Sequence, residues 1–363
     1  MNPEAPSVTS ALHALIAQQA ARAGGWLPFD RYMALALYAP GLGYYANASR
    51  KFGAMPSSGS DFVTAPELTP LFGQALAVQL AEALDRTGTD EIWEFGAGSG
   101  ALAAQLLGSL GERVRRYTIV ELSASLRERQ QATLTAWGER VAWAGELPAT
   151  LQGVVVGNEV LDAMPVKLLQ RTGGQWHERG IVAGDGGLQW ADRPSGLRPP
   201  VEIAGAHDYL TEIHPQAQAF IRTLADRLTR GAAFFIDYGF PEAEYYHPQR
   251  HMGTLMCHRG HRADTDPLQD PGAKDITAHV DFTGIALAAQ DAGLHVLGYT
   301  SQARFLMNCG LLDFAADADL RALSSVQKLL AEHEMGELFK AIGFATQPFD
   351  AIGFRDGDRS HRL

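Results

Sequence analysis

Apolar residues recur at helical spacing over residues 10–23, through Leu12, Leu15 and Ile16, and again over residues 29–37 with Asp30 near the start. Pro40-Gly41-Leu42-Gly43 breaks the second helix, and Tyr44-Tyr45 follow. Residues 47–66 are rich in Gly, Ser and Pro, a loop long enough to suggest a lid or a binding role. Helical spacing resumes over 69–84 through Leu71, Phe72, Leu76 and Leu80. From Glu91 the rhythm changes: 91–95 reads as a short apolar strand, 101–110 as a helix, 117–122 as a strand and 123–137 as a helix. Short strands follow at 141–143 and, flanked by glycines, at 154–156. Strands alternating with helices in this way predict an α/β, doubly wound parallel sheet with right-handed crossovers.

The pattern changes again after that sheet segment. Residues 167–190 alternate apolar and polar around Gly173-Gly174 and Gly184–Gly187, which predicts antiparallel hairpins. A helix over 216–228 leads into the very apolar strand 232–236, closed by Asp237-Tyr238-Gly239. Residues 241–274 read as a long polar loop, 282–292 as a helix, and the remainder as mixed helix and strand. No internal repeat is present. The expected division is an N-terminal helical extension and lid loop (1–85), the first half of a core (86–165), inserted hairpins (166–212), and the second half of the core (213–363) carrying an inserted loop (241–280). The insertions are expected to form a second, α+β lobe over the carboxyl edge of the sheet.

With 46% hydrophobic residues in a chain of 363, a sizeable core is expected rather than disorder. The 30 basic and 41 acidic side chains give a net charge of −11, which opposes non-specific attraction to nucleic-acid phosphate and anionic membrane. That sign suits a basic protein partner. Cys257 and Cys309 are the only cysteines and form no CxxC pair, so neither a disulfide framework nor a zinc site is expected. His247, His251, His258 and His261 with Cys257 match no metal-ligand spacing, and a surface loop is expected there. A reduced compartment such as the cytoplasm fits this composition; neither a signal peptide nor a membrane span is legible.

The chemistry concentrates at the ends of the predicted strands. Glu94-Phe95-Gly96-Ala97-Gly98-Ser99-Gly100 places glycines between a strand and a helix. There a ligand can approach the backbone and meet the positive end of the helix. The turn also satisfies the looser dinucleotide fingerprint, so by itself it leaves a nicotinamide enzyme open. Glu94 can meet a ligand ammonium and would repel a pyrophosphate, which favours the methionine moiety of S-adenosylmethionine. Glu121, with Leu122 beside it, ends the second strand where a carboxylate can accept both ribose hydroxyls; its plainer role is to assist Ser123 in capping the next helix.

After the fourth strand comes Gly157-Asn158-Glu159-Val160-Leu161-Asp162-Ala163-Met164-Pro165-Val166. Asn158 is placed to bond the cofactor or the nucleophile. Glu159 and Asp162 share a face only if the turn is helical; as a pair they suit a guanidinium, whose planar donors match carboxylates bidentately. Asp162 could equally be the N-cap of a short helix. Thr64, Pro66 and Glu67 can fold over the methionine end of the cofactor, or simply lead into the helix from Thr69. His279 can line a substrate channel or cap the helix that follows.

Taken together, several motifs resemble the MidA family of methyltransferases. They are Phe62-Val63-Thr64-Ala65-Pro66-Glu67, the glycine turn, Asn158–Val166, Asp237-Tyr238-Gly239, Gly253-Thr254-Leu255 and Asp275-Ile276-Thr277-Ala278-His279-Val280-Asp281-Phe282. The likeness runs from about Tyr32 to Phe305. The family comprises bacterial proteins and a mitochondrial complex I assembly factor that methylates arginine in a core subunit. The resemblance implies a Rossmann-like, seven-strand methyltransferase core with N-terminal and inserted elements, and S-adenosylmethionine as cofactor. It maps Gly98 and its neighbours onto the cofactor turn, and Glu159 and Asp162 onto the family's acidic pair. The expected reaction is in-line methyl transfer to a protein arginine, with a respiratory-complex subunit as one candidate substrate. A small-molecule methyltransferase and a non-catalytic, cofactor-binding assembly factor are the alternatives.

Overall fold

A computed structural model describes residues 7–47, 64–184, 186–260 and 262–363. The expected lid over 47–66 therefore lies mostly outside the described residues, as do Phe62, Val63 and His261. The chain divides into two compact units. The first comprises 1–62, 162–217 and 242–281; the second comprises 63–161, 218–241 and 282–363.

The second unit is built on strands β1 (Glu91–Phe95), β2 (Arg116–Val120), β3 (Val141–Ala144), β4 (Leu151–Asn158), β5 (Leu228–Phe240), β6 (His295–Ser301) and β7 (Phe339–Ala345). Their order across the sheet is β3-β2-β1-β4-β5-β7-β6. All neighbours are parallel except β7, which runs antiparallel to both β5 and β6. This is the expected Rossmann-like seven-strand core. Its strand order reverses between β1 and β4, and ligands in such sheets bind beyond the carboxyl ends at that reversal.

Helix α1 (Pro70–Thr87) shows why the sequence folds locally as it does. Thr69 accepts a hydrogen bond from the Leu71 N–H, Pro70 occupies the first turn, and Gly88 ends the helix at φ 61°. Its buried face, including Leu71, Phe72, Leu76, Leu80 and Leu84, joins Ile92, Tyr117, Val154, Val156 and Phe234 in one apolar core. The structure thus groups α1 with the sheet, whereas the sequence division put residues up to 85 in the N-terminal extension. Helix α2 (Ala101–Leu110) follows the glycine turn, and α3 (Ala124–Thr133) follows β2 with Ser123 as its cap. The helix expected over 123–137 ends earlier, passing into a 3-10 segment, Thr135–Arg140, kinked at Gly138.

In the first unit, helices Val8–Arg22 and Phe29–Tyr38 accompany a five-stranded antiparallel sheet. Its strands are Leu27–Pro28, Lys167–Thr172, Gln175–Gly184, Gly187–Pro194 and Tyr209–Ile213. Residues 241–274 are not the plain loop their polarity suggests. A short helix, Glu242–Tyr245, precedes a three-stranded sheet of Met256–Arg259, Arg262–Asp264 and Asp275–Thr277. Strands of three or four residues are too short to establish a period of two, so the buried Cys257 and Ile276 do not mark them as strands in the sequence. No helix among the described residues is long and apolar enough to cross a membrane.

Candidate active site

Within the second unit, the carboxyl ends of β1 and β4 lie side by side, with Phe95 paired to Gly157. Gly96, Gly98 and Gly100 have φ of 66°, 52° and 84°, a left-handed path that side chains disfavour. A Cβ on Gly96 would stand 2.7 Å from Val160 Cγ2, so this glycine also admits the turn after β4. The glycine turn is held from behind by residues the motifs did not single out. Gln130 of α3 donates to the Gly98 carbonyl (3.1 Å) and to Glu121 Oε2 (3.1 Å), while Trp143 donates to Gln130 Oε1 (2.9 Å). The Thr133 hydroxyl bonds the Ser99 carbonyl at 2.8 Å. Only tertiary contact reveals this support, because Gln130 lies thirty-two positions from Gly98.

Glu94 is 1% exposed and accepts a hydrogen bond from the Tyr117 hydroxyl at 2.8 Å. Burial pushes its carboxyl up to about 8; the Tyr117 bond opposes that rise and the charge of Glu121 adds to it. Glu121 and Leu122 lie just past the end of β2, which stops at Val120. Glu121 accepts the Ser123 N–H through Oε1 (2.8 Å) as well as Gln130 through Oε2, so it supports the start of α3. Leu122 is 80% exposed. Thr64 precedes the short helix Ala65–Leu68, Pro66 is buried, and Glu67 is hydrogen-bonded to the Ser99 hydroxyl of the glycine turn.

Asn158 is buried; its Nδ2 donates to Glu159 Oε1 at 2.9 Å, while its Oδ1 has no hydrogen-bond partner among the described residues. Glu159 has φ 55°, one of two positive values outside glycine among the described residues. The segment after it is a turn, not a helix, and the next regular element is the strand Lys167–Thr172. The helical condition for Glu159 and Asp162 to share a face is therefore not met, and Asp162 caps no helix. The division between units falls between them, with Glu159 in the second and Asp162 in the first.

In the first unit, Asp162 is buried, and its carbonyl accepts the Ala278 N–H at 3.0 Å. His279, one residue on, donates its backbone N–H to Thr254 Oγ1 at 3.0 Å. Thr254 belongs to a buried network missed in the sequence. Glu212 Oε1 accepts the Thr254 and Leu255 N–H groups (2.8 and 3.1 Å), and Oε2 accepts the Tyr245 hydroxyl (2.9 Å). His214 bonds the same Tyr245 oxygen, and burial pushes its imidazole down to about 3. No group of three or more His, Cys, Asp or Glu among the described residues is arranged to hold a metal.

Residues 75–300 match the family model described as "Putative S-adenosyl-L-methionine-dependent methyltransferase". The chain belongs to that family. This is the MidA family indicated by the motifs, and its members' cofactor is S-adenosylmethionine. A crystal structure from Burkholderia thailandensis with bound S-adenosyl-homocysteine is 50% identical, covers 100% of this chain and 99% of its own, and superposes with a TM-score of 0.94. The mitochondrial protein arginine methyltransferase NDUFAF7 of Danio rerio is 28% identical over 88% of this chain and 83% of its own length. Its Caenorhabditis elegans homologue is 26% identical over 80% and 74%. This MidA-family chain is thus an S-adenosylmethionine-dependent methyltransferase, and its residues fit that cofactor. The glycine turn leaves room at the backbone, the Asn158 Oδ1 offers an unused acceptor, and Leu122 presents an uncovered apolar face.

Proposed function

We propose that this methyltransferase acts on a guanidinium nitrogen of protein arginine. The observation that carries the reading is Glu159, a carboxylate held in the left-handed region at the carboxyl end of the central strand β4. A residue in that conformation costs of order 1–3 kcal/mol and persists at sites where position matters. The arginine methyltransferases among the relatives support the same substrate class.

In this reading, Gly96, Ala97 and Gly98 line the methionine and ribose, Glu94 faces the amino group, Glu121 accepts the ribose hydroxyls and Leu122 covers the adenine. Thr64 and Pro66 would help hold the methionine end, and Asn158 Oδ1 would be an acceptor for the cofactor. Bound S-adenosylmethionine supplies an electrophilic methyl group on a sulfonium. A guanidinium has a pKa above about 12, so no side chain here removes its proton beforehand. Glu159 would orient the guanidinium N–H groups and balance their charge; the nitrogen–methyl bond would form as the methyl–sulfur bond breaks, S-adenosylhomocysteine would be the leaving group, and the released proton would pass to water. Asp162 and His279 belong to the substrate side. Alignment and exclusion of water supply most of the rate gain. A protein partner, with a respiratory-complex subunit as one candidate, goes with this reading.

The test is incubation of a cell lysate with labelled S-adenosylmethionine and mass spectrometry of the modified species. Methylarginine in a protein is expected, and Glu159→Gln should cut its formation strongly, to a small but measurable residue, while leaving S-adenosylhomocysteine binding largely intact. Label found only in a small molecule, or normal turnover by Glu159→Gln, defeats the proposal.

A further inference from the structure

Where β4 ends, its backbone N–H groups no longer have a neighbouring strand to bond. The Glu159 N–H still reaches the Ile236 carbonyl of β5 at 2.9 Å. The next two are taken by one side chain: Asp237 Oδ2 accepts the Val160 N–H at 3.0 Å and the Leu161 N–H at 2.8 Å. Its Oδ1 accepts the Tyr238 N–H at 3.0 Å, and the residue is 1% exposed. Successive N–H groups converging on one anion form a concave nest, and here the anion is part of the chain itself. A carboxylate is the side chain suited to this, since its bonds to backbone N–H groups are charge-assisted. Glu159, immediately before the nest, is the residue at φ 55°. Val160, inside it, packs where a Cβ on Gly96 would otherwise stand.

We infer that Asp237 is a positioning residue for methyl transfer. It holds the turn 159–161 so that Glu159 stays in its left-handed conformation, with its carboxylate fixed beside Asn158. This inference rests on the reading of Glu159 given above, and Asp237 acts through that residue. A left-handed glutamate released from the nest relaxes to an ordinary conformation, which swings its side chain away.

The experiment measures methyl transfer from labelled S-adenosylmethionine into the protein of a lysate from cells lacking this chain. It compares the wild type with Asp237→Ala, Asp237→Asn, Glu159→Gln and the Asp237→Ala/Glu159→Gln double variant. Calorimetry gives the affinity of each for S-adenosylhomocysteine. Asp237→Ala is expected to lower transfer about 10- to 100-fold, the scale of a misplaced reacting group, while changing that affinity less than about threefold. In the Glu159→Gln background the same substitution should lower residual transfer less than about twofold, because residues acting as one unit are not additive. Amide exchange at Val160 and Leu161 should also quicken in Asp237→Ala. Equal fold-losses in both backgrounds, or full activity of Asp237→Ala, overturn the inference while the reading of Glu159 survives. Full activity of Glu159→Gln overturns that reading and the inference with it. Should Asp237→Ala not fold, Asp237→Asn takes its place; it keeps the shape but turns an amide donor toward donors. Full activity of that variant overturns the inference equally.

Discussion

Glu212 in the antiparallel unit and Glu94 in the parallel one are both shut away from solvent, yet their surroundings differ in what they offer a negative charge. Glu212 is met by the Tyr245 and Thr254 hydroxyls and by two backbone N–H groups. Glu94 has the Tyr117 hydroxyl and, nearby, the like charge of Glu121. A carboxylate already supplied with donors ties a fold together; one left short of them is ready for a ligand that brings its own. Asp162 and His279, proposed for the substrate side, adjoin backbone bonds that knit the 275–279 segment in place. Among the proposed cofactor residues, Asn158 Oδ1 has no partner among the described residues and Leu122 is uncovered.

The sharpest test of that contrast is Glu212→Ala. It leaves the Thr254 and Leu255 N–H groups without their acceptor and takes one of its partners from the Tyr245 hydroxyl, so unfolding in urea should show a loss of about 3–5 kcal/mol. A loss below about 1 kcal/mol would mean that the network does not hold the unit together. Gly96→Ala should come next, destabilising by about 2 kcal/mol because the added methyl meets both a positive φ and the Val160 side chain. Calorimetry should show S-adenosylhomocysteine affinity falling with it; unchanged affinity would separate the turn from the site.

Glu94 makes the opposite prediction from Glu212. Because its folded carboxyl sits at about 8 against an ordinary 4.5, the folded state holds a proton that the unfolded state releases. Its contribution to stability is therefore full below 4.5 and lost as the pH rises through 8. Glu94→Gln should remove that slope from melting temperatures measured across the range, and should be no less stable than the wild type at pH 8. A ligand ammonium favours the ionised form, so wild-type affinity for S-adenosylhomocysteine should tighten as pH approaches 8 and flatten in the variant. A pH-independent wild type breaks the comparison. The smallest effect belongs to Leu122→Ala, expected to weaken the same binding about fivefold, or roughly 1 kcal/mol, with no change in stability.

The glycine turn, the alternating strands and helices, and the polar run after Val154-Val155-Val156 were all legible in the sequence, because each depends on neighbours a few positions away. The roles of Gln130, Thr133 and Asp237 were not. Gln130 looks like any polar helix residue until α3 packs behind Gly98, and Asp237 looks like a strand terminator until β5 lies beside β4. The helical turn that would align Glu159 with Asp162 was a fair local reading, but the nest around Asp237 selects a different backbone.

By itself the sequence determined the class of fold, the nucleotide-binding turn and the residue types gathered near it, since hydrophobic period and glycine placement act over short range. Tertiary structure alone decided that burial raises the Glu94 carboxyl, which carboxylates are tied by donors, and that Glu159 takes a left-handed backbone. Those outcomes depend on burial and on donors brought from distant parts of the chain, and Asp237, seventy-seven positions from Val160, is the plainest case.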